Sequence, residues 1–497
     1  MQSATGVSRI RPCDEENLDL QSPPKVESQK IDSDGRELNI VSWEGDDDPA
    51  NPRNWPATVK WGNITIVSLV TIVTPLASSM FAPAVPQVMA QFHSNNEELA
   101  SFVISVYVIG FALGPLVVAP LSELYGRLII YHISNILFVA FTIGCALSSS
   151  IRMFTAFRLL SGCVGVTPMV LGGGSIADII PAERRGTAMA IWGSGQLFGP
   201  VIGPIAGGYL NEAAGWRWIF WTLAIIGGVL TTLGILLLRE TYAPVLLKRK
   251  AKKLRKHTGD PSFRLSIDEQ VSPLAYFKNA LIRPLRLLFT SRIVFFLSVD
   301  VSIAYGYLYL VFTTLTYTFE ERYGFSSGVA GLTFLGIGTG MFIGLVTVSA
   351  YSDKTAQRKS ISGDLQPEDR LTPLVPGAFL IPIGLFWYGW SVAAHIFWIV
   401  PLVGTAFFGA GLIATFVPVQ MYLIDTFDRH AASALAALTI LRSVTGATLP
   451  LAGQKLFNAL GDGWGNSLLA FIALALTPIP FLFLRYGERL RSGISTS

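Results

Sequence analysis

The sequence predicts an all-α polytopic membrane protein, with twelve transmembrane helices in two pseudo-symmetric six-helix bundles. Three observations predict it. The chain is 51% hydrophobic and only 14% charged, where soluble domains carry about 25% charged residues. Its apolar residues fall in blocks of about 20, the length that crosses ~30 Å of hydrocarbon at 1.5 Å per residue. Polar landmarks of the first half recur in the second, as in chains built from repeated bundles.

Residues 1–60 are rich in Ser, Asp, Glu, Lys and Pro and lack periodicity, which reads as a disordered cytoplasmic tail. Its end, from Trp43 through Asp46, Asp47 and Asp48 to Trp55, is less ordinary. Spans one to six are expected at about 62–81, 99–120, 129–148, 153–176, 187–210 and 218–238, within an N-terminal bundle at 61–238. Residues 239–292 form a basic cytoplasmic central loop. Its run Lys248–Lys256 reads as a topology anchor, and its end at 273–289 is amphipathic, suited to lie along the membrane surface. Spans seven to twelve follow at about 293–317, 329–351, 374–390, 396–421, 432–455 and 467–484, the C-terminal bundle at 293–484. A short cytoplasmic tail, 485–497, ends the chain.

Charge sets the orientation. With the N-terminus inside, the inner segments hold most of the Lys and Arg. The outer ends hold only Arg152, Arg217, Arg322 and Lys455. The positive-inside rule then puts both termini in the cytoplasm of a multi-pass cell-membrane protein. Cys13, Cys145 and Cys163 have no ligand spacing, and the histidines are scattered, so no metal site is expected. The clustered His, Asp or Ser of a membrane enzyme is missing from the sequence, so no enzyme is expected, and no nucleic-acid partner.

Charges inside spans carry the candidate site. Arg158 lies in span four and Arg442 in span eleven. For Arg158 two readings stand: a cavity-facing cation tied to substrate or proton, or a structural charge held by carbonyls; the first is favoured because intramembrane charges are functional by default. Asp300 in span seven is a titrating carboxylate, the partner of a nearby Arg, or a residue shallow enough in the span to be wet. Tyr107, Gln196, Tyr305, Tyr309 and Gln420 are candidate lining residues, of which about one in three is expected to touch substrate. At the end of span two, Glu123, Gly126 and Arg127 form a tight turn with one acid and one base, a candidate gate. Asp353 and Arg358 echo it after span eight, and Asp425 after span ten echoes Asp178 after span four. Span five carries Gly199, Pro200, Gly203, Pro204, Gly207 and Gly208. Its glycines four apart make a bare stripe for close helix approach, and its prolines remove backbone hydrogen bonds.

With these motifs in view, the chain resembles the major facilitator superfamily, specifically the fungal twelve-span drug:proton antiporters, over about residues 43–490. The span-two turn resembles the signature Gly-x-x-x-Asp-x-x-Gly-Arg, with Ala119 and Glu123 in place of the Gly and Asp, and with Gly126 and Arg127 kept. Arg158 to Gly162 resembles the span-four motif, whose Arg is linked in the family to proton coupling. The span-five run resembles the antiporter motif that marks exporters, and Pro83 to Pro86 the motif after span one. The fungal character comes from the run ending at Trp55, from Asp425 to Ala434, from Leu441 to Ser443 and from Pro450 to Gly453.

The resemblance implies a major facilitator fold and proton-coupled efflux of small amphipathic organic molecules, such as drugs, toxins or secondary metabolites, by alternating access. It implies no cofactor beyond the proton gradient, and a monomer in the lipid bilayer with a small-molecule substrate and protons as partners. It also implies that spans five and eight face each other, so the glycines at 199, 203 and 207 are expected against Gly336, Gly340 and Gly344; the alternative is that the span-eight glycines pack within their own half. The compound is not identified. An uptake transporter and a non-transporting membrane sensor remain as alternatives.

Overall fold

The computed structural model describes residues 29–31, 37–45, 47–94, 96–181, 186–259, 263–264, 273–362, 366–427 and 431–492. They form two units, Met1–Asn54 with Ala243–Gln270, and Trp55–Tyr242 with Val271–Ser497.

In the first unit, strands Gln29–Ile31 and Glu37–Ile40 pair antiparallel, and Phe263–Arg264 pairs parallel to the second. The stretch read as a disordered tail therefore holds local structure, and its acidic end has a physical account. The carboxylate of Asp48 accepts the N–H groups of Glu44 and Ala50, each at 2.8 Å. Its carbonyl accepts the Asn51 N–H and the Asn54 amide, both at 3.0 Å. Lys250, on the helix Ala243–Thr258, reaches Glu44 at 2.9 Å and Asp48 at 3.3 Å. Burial alone would raise the pKa of Asp48, but these N–H donors and the Lys250 ammonium outweigh it and hold the carboxyl below its ordinary value. One residue of the basic run is thus an inward-turned ion-pair partner.

The second unit holds the spans. Span one is Ala57–Ser79, two Glu97–Tyr125, three Arg127–Ala146. Span four is Ile151–Gly165 continued by Thr167–Ile179, five Gly186–Ala214 and six Trp216–Leu237. Span seven is Arg292–Tyr323, eight Ser327–Leu332 continued by Phe334–Ser362. Nine is Leu374–Ala393 and ten Ile399–Phe427. The helical stretch Ala431–Leu476 breaks at Gly461 (φ 72°, ψ 169°), so span eleven precedes that glycine and span twelve follows it, running on into Pro478–Ser492. The loop expected there shrinks to one residue whose backbone favours glycine. Span four breaks because Pro168 has no N–H for the Val164 carbonyl; the Thr167 hydroxyl donates to it instead, at 2.7 Å. The amphipathic segment is a helix, Pro273–Thr290, packed against spans two and seven and the Ala431–Leu476 rod.

Within the first half, span one packs on five, two on four and three on six. Within the second, seven packs on eleven, eight on ten and nine on ten. The halves meet where span two lies against the Ala431–Leu476 rod and span five against span eight. Large apolar side chains such as Leu236, Phe397 and Phe471 are exposed on the outside, the surface a bilayer would cover.

The glycine stripes correct one expectation. A Cβ on Gly199 would meet Pro75 and on Gly203 would meet Ser79, and Gly207 faces the Met80 carbonyl, all at span one or its end. Gly336, Gly340 and Gly344 face Leu402, Ala406 and Ala410 of span ten. Each stripe therefore packs inside its own half, against a helix that runs in the same direction, since the contacts advance together along both. Spans five and eight do face each other, through other positions. A Cβ on Gly208 would lie 2.5 Å from the Ser327 carbonyl oxygen, and one on Gly331 2.6 Å from that of Pro204, while Gly338 faces Val201.

Candidate functional site

A cavity lies on the seam between the halves. Phe111 and Gln196 line it from the first half, and Tyr305, Tyr309, Phe416 and Arg442 from the second. Its volume is about 60 Å³, well short of the ~300 Å³ at the lower end of ligand pockets. A drug-sized guest therefore needs the halves to part.

The two intramembrane arginines sit in different surroundings. Arg158 is 1% exposed and outside the cavity lining. Its guanidinium donates to the carbonyls of Ala77 at 2.8 Å and Ser78 at 3.3 Å. These belong to the last turn of span one, whose carbonyls have no partner further along that helix. The cation thus caps a helix C-terminus, where it also meets the negative end of the macrodipole. Longer contacts of 3.5 Å reach Val103 and Ile104 of span two. The rings of Tyr107, Phe81 and Phe220 lie 4.7, 5.4 and 5.9 Å from its central carbon. Gly162 and Gly165, on the same helical face, pack on Tyr107 and Phe138 and do not line the seam cavity. In this conformation the favoured cavity-facing placement of Arg158 gives way to the carbonyl-held one.

Arg442 is 5% exposed and lines the cavity. Its guanidinium lies 4.9 Å from the Tyr305 ring centre and 4.8 Å from that of Phe416. Its Nε is buried without a hydrogen-bond partner among the described residues. A contact path joins both arginines. The Tyr305 and Tyr309 ring centres are 5.1 Å apart. The Tyr309 and Ser78 hydroxyls lie 2.8 Å apart across the two halves, and the Ser78 carbonyl accepts from Arg158.

The remaining candidates divide. Gln196, Tyr305 and Tyr309 line the cavity. Tyr107 is buried outside it and donates to the Thr74 carbonyl at 3.3 Å. Gln420 is half-buried and also outside it. Asp300 is buried in span seven with Oδ2 unpartnered, and no ion pair to an Arg is seen for it among the described residues. Tyr307, on its face, donates to the Leu469 carbonyl of span twelve at 2.9 Å.

At the turn after span two, Gly126 takes φ 102°, a conformation only glycine adopts readily. The ion pair of Arg127 is with Asp178 of span four, Nε to Oδ2 at 3.6 Å. Arg127 also donates to the Ser122 hydroxyl at 2.7 Å and lies over the Tyr242 ring at 4.8 Å. Glu123 is half-buried beside it. Glu240, just past span six, accepts the N–H groups of Arg127 at 3.0 Å and Leu128 at 3.2 Å, which caps the first turn of span three. The cluster thus joins spans two, three, four and six of one half.

Sequence reasoning missed Glu240 and Tyr242. The only signal was an acid following span six directly, ahead of a basic run. The second half repeats the pair through Arg370 and Asp425, at 3.1 Å, so the structural echo of Arg127 is Arg370. Asp353 and Arg358 lie on the span-eight helix, and their side chains fall outside the described residues.

Glu240→Gln keeps the shape of the cap and removes its charge. It is expected to lower the stability of the purified protein by about 1–2 kcal/mol. The check is a lower thermal unfolding midpoint, with Glu240→Asp closer to the parent.

The geometry matches a known group. A family model described as Major Facilitator Superfamily matches residues 67–450. The chain is 51% identical to the efflux pump radE of Floropilus chiversii over 460 residues, 92% of this chain and 86% of that one. It is 51% identical to the MFS-type transporter tndD of Aspergillus flavipes, over 98% of this chain and 91% of that one. A partially occluded inward-open structure of the xylose transporter XylE from E. coli matches its fold with a TM-score of 0.63, at 15% identity, over 86% of this chain and 98% of that one. The twelve helices in two bundles, the seam cavity and these matches agree: the chain belongs to the major facilitator superfamily of membrane transporters.

Proposed function

We propose that this transporter exports small amphipathic organic molecules in exchange for protons, by alternating access. The observation that carries it is the seam cavity, apolar for most of its wall and walled by both halves, so that rocking the halves exposes it to one side and then the other. The name of the relative radE, an efflux pump, supports the outward direction, as does the span-five run of Gly199 to Gly208.

The distribution of Lys and Arg supports a cytoplasmic location for the end carrying Glu123 and Arg127. At the opposite end the halves are tied together. Glu98 of span two pairs with Lys455 of span eleven, and the Glu212 carboxylate of span five accepts the Gly328 N–H of span eight at 2.8 Å. Asp300 is the buried carboxylate proposed to take the proton, and Arg158 and Arg442 set the local field.

The test is accumulation of a compound panel in efflux-deficient yeast expressing the full chain at the plasma membrane. Lower accumulation of at least one amphipathic compound, restored by a protonophore, is expected. Equal accumulation across the panel with and without the chain would overturn the reading.

A further inference from the structure

Arg442 is a cation with an open account. The guanidinium is almost wholly removed from water, its Nε has no acceptor, and its recorded contacts among the described residues are aromatic rings. Arg158, equally buried, satisfies its N–H groups with carbonyls. The difference lies in where each points: Arg158 into a helix end, Arg442 into the cavity. Among the described residues, Arg442 is also the only charged one that lines the cavity.

A desolvated cation is stabilised most by an anion, and a guanidinium presents a planar fork that fits a carboxylate with two parallel hydrogen bonds. The rings of Tyr305 and Phe416 lie against it and favour a flat, aromatic neighbour. The rest of the wall is apolar, with Pro200, Leu308 and Ile413. A cationic guest would meet Arg442 at close range with no carboxylate in the lining to offset the repulsion.

We infer that the cavity binds amphipathic aromatic acids, with the ionised acid group seated on Arg442 and the ring system on the apolar wall. This rests on the reading that the cavity holds the transported molecule. Exchanging one proton inward for one such anion outward moves two charges in the same electrical sense, so export draws on the membrane potential as well as on the pH gradient.

The experiment measures binding to the purified full chain in lipid nanodiscs. The probes are matched two- and three-ring aromatics, each as carboxylic acid, methyl ester and primary amine, 2-naphthoic acid and anthracene-9-carboxylic acid among them. The acids are expected to bind about tenfold more tightly than their esters, the scale of a charge-assisted hydrogen bond, and the amines weakest. Arg442→Gln should erase the preference, and Arg442→Lys should keep part of it. Melting of each variant without ligand confirms that it folds. Acids that bind no better than esters, or a preference that survives in Arg442→Gln, would overturn the inference. Arg442-dependent binding of acids that cells fail to export would leave the acid preference standing and overturn export instead.

Discussion

Arg158→Ala is expected to abolish transport and, in the same protein, to lower thermal stability. The side chain ties three helices: it sits on span four, caps span one through Ala77 and Ser78, and touches span two at Val103 and Ile104. Its removal leaves buried carbonyls without donors and opens space among Phe81, Tyr107 and Phe220. The cost is about 3 kcal/mol or more. Arg158→Lys should retain part of both properties, because an ammonium reaches one carbonyl but lacks the planar fork. The measurements are efflux against an imposed pH gradient and the melting midpoint of protein taken from the same membranes. Lost transport with unchanged melting would assign Arg158 to proton coupling alone. Undiminished gradient-driven transport would remove it from the mechanism.

The second large effect concerns the seam between spans five and eight. Gly208→Leu or Gly331→Leu is expected to cut transport at least about tenfold while each half stays folded. Backbone of the opposite half lies within 2.5–2.6 Å of where the first side-chain carbon would stand, so the halves cannot close at that end. Gly203→Leu and Gly340→Leu insert the same bulk inside a half, against span one and span ten respectively. Overpacking there costs about 1–3 kcal/mol or more of stability, so these two should lower the melting midpoint and surface delivery. Comparing surface amount, melting and transport across the four variants checks the division. Seam variants that melt early, or in-half variants that reach the surface intact and fail to transport, would contradict it.

The spans were legible in the sequence because crossing hydrocarbon imposes a length and an apolar composition on every helix, and those are local properties. The repeat was legible for the same reason. Helix partners were not. Glycines four apart announce a close approach without naming the neighbour, and the stripes of spans five and eight turned out to face spans one and ten.

Arg158 and Arg442 looked alike as buried charges. What separates them is the tertiary placement of the span-one terminus beneath Arg158 and of Tyr305 and Phe416 beside Arg442. The turn after span two was found through Glu123, Gly126 and Arg127. Its ion-pair partner Asp178 and its cap Glu240 come from span four and from beyond span six, distances along the chain at which no spacing rule operates. The same holds for Arg370, which takes Asp425 in the second half where sequence spacing had suggested Arg358 as the echo of Arg127.

The central claim is that a proton gradient drives a molecule outward through the seam cavity. Liposomes carrying the purified chain, with an imposed pH gradient and a compound exported in the yeast assay, test it most directly. The compound is expected to move uphill to the acidic side, to stop when a protonophore collapses the gradient, and to stop in Gly208→Leu. A weak acid that merely permeates the bilayer collects on the alkaline side, so for an acid the direction separates antiport from leakage; for a weak base, which leakage also carries to the acidic side, the Gly208→Leu control does. Movement that is only downhill, that runs to the alkaline side, or that ignores the protonophore would contradict the account.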